Sequence, residues 1–307
     1  GLHTALINPY SAYAKISEGC GHKCSFCLIP AIKGGYRSRK KADIVEEIKN
    51  LTGAGVREIN LISQDLSYYG RDIYKKHRLP GLVSDILKKV KGDYWLRLMY
   101  IYPDIKVIKE LVKIMESDSR LCRYLDIPFQ HVDDSILAGM KRGYDGKYID
   151  SIINYLRGSA ADITIRSTFI TGFPGETKKQ FHKLEKFILQ GNVDKAGIFG
   201  YSDEPGTEAF KYAKKIKPGE ITRRAERLML ASRQVCYYND TQKEGSEKRV
   251  LVTGPPVKGN YAARAQDAAP DIDGYIYFKS KQKIKPGSFV KLRMKKPGKN
   301  GPQGELV

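Results

Sequence analysis

The chain has 307 residues, a length that suits one large domain plus a small one. Its 54 Lys and Arg against 34 Asp and Glu give a net charge of +20, which favours an anionic partner such as RNA or the ribosome, although a lysine-rich solvated surface gives the same count. No apolar run is long enough to cross a membrane, so we expect no membrane partner. The five cysteines, three of them crowded together, do not suit a disulfide framework and predict a reducing, cytoplasmic location.

Short apolar runs alternate with longer segments of helical periodicity over the first two thirds of the chain. The predicted strands are 12–19, 57–64, 95–102, 123–129, 162–172 and 195–202. The predicted helices are 39–54, 81–91, 104–117, 133–141, 146–158 and 176–190. In the first helix, Ile44, Val45, Ile48 and Leu51 recur at helical spacing. This alternation indicates βαβ units, so we predict an α/β fold, a six-unit partial (β/α) barrel.

The last third of the chain has a different character. A polar helix is predicted over about 219–243, and we expect it to carry the chain away from the barrel. Short strands separated by Gly, Pro and Asp turns follow it, which predicts a small all-β barrel. The predicted domains are therefore 1–240, the barrel with its trailing helix, and 241–307, which has 14 Lys and Arg against 6 Asp and Glu.

Three cysteines, Cys20, Cys24 and Cys27, lie in the stretch "KISEGCGHKCSFCLIP" directly after the first predicted strand. In a parallel barrel this is the C-terminal rim, where active sites are built. Thiolates suit zinc or an iron–sulfur cluster. Structural zinc wants four ligands, and His22 is too near Cys20 and Cys24 in sequence to complete a comfortable zinc site. Three cysteines on a 4Fe–4S cluster would leave one iron open to a small ligand that has an amine and a carboxylate.

The C-x-x-x-C-x-x-C motif on this predicted barrel resembles the radical S-adenosylmethionine (SAM) superfamily. The resemblance implies that Cys20, Cys24 and Cys27 hold a 4Fe–4S cluster, are the catalytic centre, and leave one iron to bind SAM. It also implies that an electron donor reduces the cluster, and that a 5′-deoxyadenosyl radical then abstracts hydrogen from an unactivated carbon.

Three further stretches, 19–39, 124–144 and 166–177, resemble the methylthiotransferase branch of this superfamily, and the basic C-terminal barrel resembles a TRAM domain. Within the branch, "CLIPAIKGGYRSR" and "LDIPFQH" are most similar to the enzymes that methylthiolate the β-carbon of an aspartate in a small-subunit ribosomal protein. The type that acts on tRNA adenosine (isopentenyladenosine) is the alternative. The resemblance implies that the partner is this ribosomal protein, either free or assembled in the ribosome. It also implies an N-terminal domain with a second 4Fe–4S cluster, which we expect to be missing here, so that the chain is the core plus TRAM portion.

The resemblance implies roles for residues near the cysteines, each with a plainer alternative. Phe26 is expected near the adenine of SAM, or simply packs the loop. Gln64 and Asp65 end the second predicted strand, where the superfamily contacts the SAM amino group, but they can also cap the next helix. Arg166 can bind the SAM carboxylate or an acidic substrate, or pair with a carboxylate of the barrel.

Three more residues at the predicted rim are candidates. Glu176 is expected to touch the ribose of SAM, or else to complement a helix dipole. Gln130 and His131 are predicted contacts for substrate or SAM, although a lone histidine is more often structural.

An alternative function, from another class of protein, is that of an RNA-binding protein with a structural metal site. Tyr261, Tyr275 and Tyr277, with Arg264 and the lysines of 279–285, could form a stacking and charged surface for RNA, although most tyrosines simply pack in a core or lie at the surface. The same TRAM-like domain would grip protein in an aspartate-modifying enzyme.

Overall fold

A computed structural model describes residues 4–298 and 301–307. The strands of the first two thirds are β1 (Thr4–Asn8), β2 (Ser11–Lys15), β3 (Ser17–Glu18), β4 (Arg37–Ser38), β5 (Glu58–Ile62), β6 (Trp95–Leu98), β7 (Leu121–Asp126), β8 (Thr164–Thr171) and β9 (Lys195–Gly200). The helices are α1 (Ile29–Lys33), α2 (Lys41–Gly53), α3 (Arg71–Tyr74), α4 (Leu79–Lys89), α5 (Ile105–Ser117), α6 (Asp134–Gly139), α7 (Gly146–Arg157), α8 (Lys178–Leu189) and α9 (Pro218–Gln242).

The large domain is built on one sheet with the strand order β1-β2-β5-β6-β7-β8-β9. Strands β2 to β9 of this sheet pair in parallel, and β1 adds an antiparallel edge strand that the sequence did not predict. The predicted fold class is confirmed, because six parallel strands alternate with helices in the expected order. Buried apolar side chains of α2, such as Ile44, Val45 and Ile48, pack in the core between helices and sheet.

Helix α9 does not leave the barrel as predicted. It packs on β9 and α8 along its length, and it buries Arg224, Leu228, Ala231 and Val235. The expectation was wrong because Leu228, Ala231 and Val235 recur on one side of this largely polar helix and are buried when it packs on the sheet.

The C-terminal domain is a closed barrel of five strands in the order β10-β11-β12-β14-β13. Its strands are β10 (Glu247–Val252), β11 (Asn260–Ala265), β12 (Ile276–Lys279), β13 (Phe289–Gly298) and β14 (Gly301–Leu306). Side chains such as Val250, Ile276, Phe278 and Leu292 fill its interior. The all-β barrel is confirmed, and β14 was not predicted. The boundary at 240/241 stays a prediction.

The C-terminal barrel packs against the amino ends of the parallel strands. Phe289 contacts Trp95 with ring centroids 4.8 Å apart, and Arg264 reaches Glu58 on β5. This contact corrects part of the predicted RNA surface, because Arg264 and Tyr261 are only 1% and 4% exposed. Tyr261 stacks on Phe278 inside the barrel. Neither Tyr261 nor Arg264 is therefore available to contact a nucleic acid.

None of the helices in the described part of the chain combines the length and the apolar character that a membrane span requires.

Candidate active site

A cavity of about 850 Å³ opens at the carboxyl ends of the parallel strands. Its walls come from the cysteine loop after β3, from the segments that follow β5, β6 and β7, from β8 and β9, and from the C-terminal domain. The lining residues are Cys20, His22, Cys24, Phe26, Cys27, Ile29, Ser63, Gln64, Asp65, Tyr100, Tyr102, Pro128, Gln130, Arg142, Arg166, Thr168, Phe199, Asp271 and Ile272. Its volume is typical of a site for a small molecule or a cofactor.

The three predicted cysteines line this one cavity as free, half-buried thiols. Burial raises the pKa of the Cys20 and Cys27 thiols above the usual value. The Ile29 N–H lies 3.4 Å from the Cys27 Sγ, and the Cys20 N–H donates to Gly34 at 3.3 Å. Gly19 turns the chain into the loop with φ of 79°, and a Cβ there would come within 2.3 Å of the Gly35 carbonyl oxygen. Only glycine therefore fits immediately before the first cysteine.

Among the described residues, no group of three or more His, Cys, Asp or Glu side chains is arranged around a single metal ion. The cysteines nevertheless fit an iron–sulfur cluster by donor chemistry and placement. All three are soft ligands in the lining of one cavity of cofactor size, and each ligand of such a cluster binds a different iron.

Two residues that line the same cavity each carry a buried amide oxygen without a partner in the described residues. These oxygens are Oε1 of Gln64 and Oε1 of Gln130. Gln130 is held firmly, because its backbone donates to Thr168 at 2.8 Å and accepts from Ile170 at 2.7 Å. A buried acceptor without a donor is costly, so these oxygens favour a ligand that brings N–H groups into the cavity.

Asp65 lines the cavity but is already engaged. Its Oδ1 accepts hydrogen bonds from the backbone N–H and the hydroxyl of Ser67 at 2.8 and 2.6 Å. Its Oδ2 lies 2.8 Å from Nε2 of His22, whose ring stacks on Tyr102 with centroids 3.9 Å apart. The capping alternative for Asp65 is thus present in the structure, and His22 becomes part of the cavity wall.

Arg166 on β8 also lines the cavity and pairs with a carboxylate of the barrel, the plainer of its two predicted roles. Its Nη1 lies 2.9 Å from Oδ1 of Asp126, and its Nε lies 3.8 Å from Oδ1 of Asp273 in the C-terminal domain. Burial raises the pKa of Asp126, and the adjacent guanidinium opposes that rise.

Glu176 and His131 lie in a buried network behind the cavity instead of in its lining. Glu176 accepts hydrogen bonds from the Gly172 N–H at 2.6 Å and from Nη1 of Arg224 at 2.7 Å, and it lies 3.3 Å from Nε2 of His131. Burial works against the charge of Glu176, but these partners hold its pKa below the usual value. The network ties α9 to the end of β8. Phe26, in contrast, lines the cavity as predicted.

Sequence reasoning missed several residues of this cavity, among them Arg142, Asp271 and Ile272. Arg142 reaches it from the turn after α6, and Asp271 and Ile272 reach it from the C-terminal domain. The sequence carried no signal for Asp271 and Ile272, because their position depends on how the two domains dock.

Residues 14–188 match the model of the radical SAM superfamily, and residues 245–299 match that of the TRAM domain. The chain is 41% identical over 291 residues to the ribosomal protein uS12 methylthiotransferase RimO of Thermoanaerobacter sp. (strain X514), which covers 94% of this chain and 66% of that protein. It is 39% identical over 292 residues to the RimO protein of Aquifex aeolicus (strain VF5), an alignment that covers 94% of this chain and 67% of that protein. The chain thus spans about two thirds of the length of these curated relatives.

Solved structures share the fold at low sequence identity. Coproporphyrinogen III oxidase (HemN) from Escherichia coli, a radical SAM enzyme, superimposes with a TM-score of 0.53 and 16% identity over 84% of this chain and 66% of that one. SuiB from Streptococcus suis, bound to the precursor peptide SuiA, gives a TM-score of 0.51 and 16% identity over 75% of this chain and 47% of that one.

Proposed function

This chain belongs to the radical SAM superfamily, and we propose that it is the core and TRAM portion of a methylthiotransferase that acts on ribosomal protein uS12. The observation that carries the proposal is the cavity itself at the carboxyl ends of parallel strands, lined by three cysteines and by two glutamines whose amide oxygens lack a partner among the described residues. The curated relatives at about 40% identity support the substrate class.

Cys20, Cys24 and Cys27 would hold the 4Fe–4S cluster, with SAM beside it in the cavity. When bound, the cluster and SAM supply radical chemistry that removes hydrogen from an unactivated carbon. Such chemistry suits the β-carbon of an aspartate, whose C–H bond general acid–base catalysis does not reach. The sulfur-transfer half of the reaction, with the second 4Fe–4S cluster that the family carries in another domain, belongs to the same proposal.

The chain's own side chains would bind and orient the ligands. The amide oxygens of Gln64 and Gln130, which lack a partner among the described residues, would accept hydrogen bonds from the ammonium group of SAM or from N–H groups of the substrate backbone. Phe26 offers an apolar wall for the adenine, and Arg166 offers a guanidinium to a carboxylate. We assign Asp65 to the positioning of His22.

Glu176 and His131 would act from behind the cavity. Their network with Arg224 fixes the end of β8, the strand that carries Arg166 and Thr168 into the cavity. We therefore propose that they support the geometry of the SAM site.

The partners follow from the same assignment. We propose a ribosomal protein of the small subunit as substrate, contact with ribosomal RNA through exposed lysines of the C-terminal barrel, and an external one-electron donor. The cytoplasm, where thiols stay reduced and ribosomes work, is the proposed compartment.

The first experiment is anaerobic reconstitution with iron and sulfide, followed by reduction with dithionite. We expect a 4Fe–4S EPR signal that changes on addition of SAM, together with formation of 5′-deoxyadenosine. A folded protein that takes up no cluster, or a cluster indifferent to SAM, would overturn the assignment and favour an RNA-binding protein with a structural metal site.

A second experiment identifies the substrate. The protein that carries this chain is expressed in a bacterium that lacks its own methylthiotransferases, and uS12 and tRNA are analysed by mass spectrometry. We expect a methylthio group on an aspartate of uS12 and unmodified tRNA. The modification on tRNA adenosine alone would contradict the proposed substrate while leaving the radical SAM chemistry intact.

A further inference from the structure

Arg142 lies in the turn after α6 and extends under the cysteine loop. Its Nη1 lies 3.3 Å from Sγ of Cys24, one of the three candidate ligands. The residue is only 5% exposed, so its charge is almost fully withdrawn from water. No ion pair joins it to a carboxylate of the described residues, and a buried guanidinium without an anionic partner is strongly destabilising. The geometry therefore places a buried positive charge directly beside a candidate cluster ligand.

The guanidinium has little freedom to turn away from that sulfur. Its Nε donates to the Tyr144 hydroxyl at 2.7 Å, and its Nη2 donates to the Pro128 carbonyl at 2.8 Å. The rings of Tyr102 and Tyr144 lie 4.6 and 5.2 Å from its Cζ atom. The Tyr144 hydroxyl in turn donates to the Phe129 carbonyl at 3.0 Å. These two hydrogen bonds and two ring contacts leave Nη1 directed at Cys24, an arrangement that the planar fork of arginine allows and lysine cannot reproduce.

We propose that Arg142 is a positioning residue that donates a hydrogen bond to the Cys24 sulfur and raises the reduction potential of the cluster bound there. The inference rests on the proposed cluster. In the step concerned, one electron passes from an external reductant to the cluster, the negative charge of the cluster grows by one, and no proton moves. A fixed positive charge beside a ligand sulfur stabilises the more negative state, since hydrogen bonds to the sulfurs and local charge set the potential of such clusters.

Two variants separate charge from hydrogen-bond geometry. Arg142→Gln removes the charge, and Arg142→Lys keeps the charge but loses the fork. Arg223→Gln is the matched control, because Arg223 is an exposed guanidinium on α9 that pairs with Glu220, away from the cavity. Each protein is reconstituted anaerobically, its iron and sulfide are counted, and its midpoint potential is measured by a dithionite titration followed by EPR.

We expect the midpoint of Arg142→Gln to fall by an amount equivalent to about tenfold in the one-electron equilibrium, or about 59 mV. Arg142→Lys should fall less, and the control should match the unchanged protein. If Arg142→Gln takes up no cluster, Arg142→Lys tests the inference instead, because loss of the guanidinium hydrogen bond should still lower its midpoint potential. A loaded Arg142 variant with an unchanged midpoint would overturn the inference while the proposed function stands. Failure of the unchanged protein to take up a cluster would instead overturn the proposed function and, with it, this inference.

Discussion

Glu58 offers a sharp test of how the two domains are joined. It is fully buried at the start of β5 and accepts hydrogen bonds from Nε of Arg97 and Nη1 of Arg264, both at 3.0 Å, and from Oγ of Ser11 at 2.9 Å. Arg97 belongs to the large domain, and Arg264 belongs to the C-terminal barrel. We expect Glu58→Gln to destabilise the protein strongly, because it leaves two guanidinium groups buried without their anion.

The size of this effect follows from the pKa of Glu58. Burial alone would raise it, but Arg264 and Arg97 lower it from 4.5 to about 2. At about 1.4 kcal/mol per pKa unit, the ionised carboxylate contributes about 3 kcal/mol to the free energy of unfolding at neutral pH. Loss of one partner from a buried ion pair typically costs about 3–5 kcal/mol, which agrees.

The assay is urea unfolding of the unchanged protein and of Glu58→Gln at several pH values. Because the pKa of Glu58 is lowered on folding, its contribution is present above pH 4.5 and is lost as the pH falls toward 2. The difference between the two proteins should therefore shrink in that range. Asp93→Asn is the control, since Asp93 pairs with Arg249 across the same domain contact but is exposed, and it should cost less than about 1 kcal/mol. Equal losses in both variants at pH 7 would refute the reasoning.

Three further predictions concern the cavity and α8. Cys27→Ala should lower the iron bound per chain after reconstitution. Cys122 is buried in the domain contact, so Cys122→Ala should keep the iron and lose about 1 kcal/mol of unfolding free energy. Equal iron in the two variants would contradict the ligand assignment. Gln130→Leu should weaken the binding of SAM or of substrate about tenfold, as expected for one lost hydrogen bond, when the affinities are measured by titration calorimetry. Unchanged affinities for SAM and for substrate would contradict this role of Gln130. Thr177→Ala removes the capping box of α8 and should cost about 1 kcal/mol in thermal unfolding, so an unchanged Tm would count against the cap.

The large domain was predictable because its local patterns agree with its packing. The spacing of Ile44, Val45 and Ile48 places one apolar stripe on α2, and all three side chains are buried. Strand β14 has the opposite character, since "GPQGEL" contains residues that disfavour strands. It forms because β13 and β12 offer it partners on both sides, which closes the barrel. Pairing between distant segments thus decides where local propensity does not.

In the candidate site, too, the features set by local sequence were predictable and those set by distant contacts were not. The position of Cys20, Cys24 and Cys27 at the rim follows from one sequence motif after one predicted strand, because the carboxyl ends of parallel strands meet at one edge. The partner of Arg264 is 206 residues away in sequence, so an interpretation of this arginine as part of an RNA surface could not be corrected from the sequence. Arg142 was missed for the same reason, since nothing local distinguishes a buried arginine from an exposed one.

The C-terminal barrel is part of the cavity as well as a neighbour of the large domain. Asp271 and Ile272, from the segment between β11 and β12, line the same cavity as the three cysteines. Two residues further along, Asp273 lies near Arg166 and accepts a hydrogen bond from the Tyr124 hydroxyl at 2.7 Å. Arg166 is therefore held by carboxylates of both domains. Because Asp271 and Ile272 belong to the C-terminal domain, the shape of the cavity depends on how the two domains dock as well as on the large domain itself.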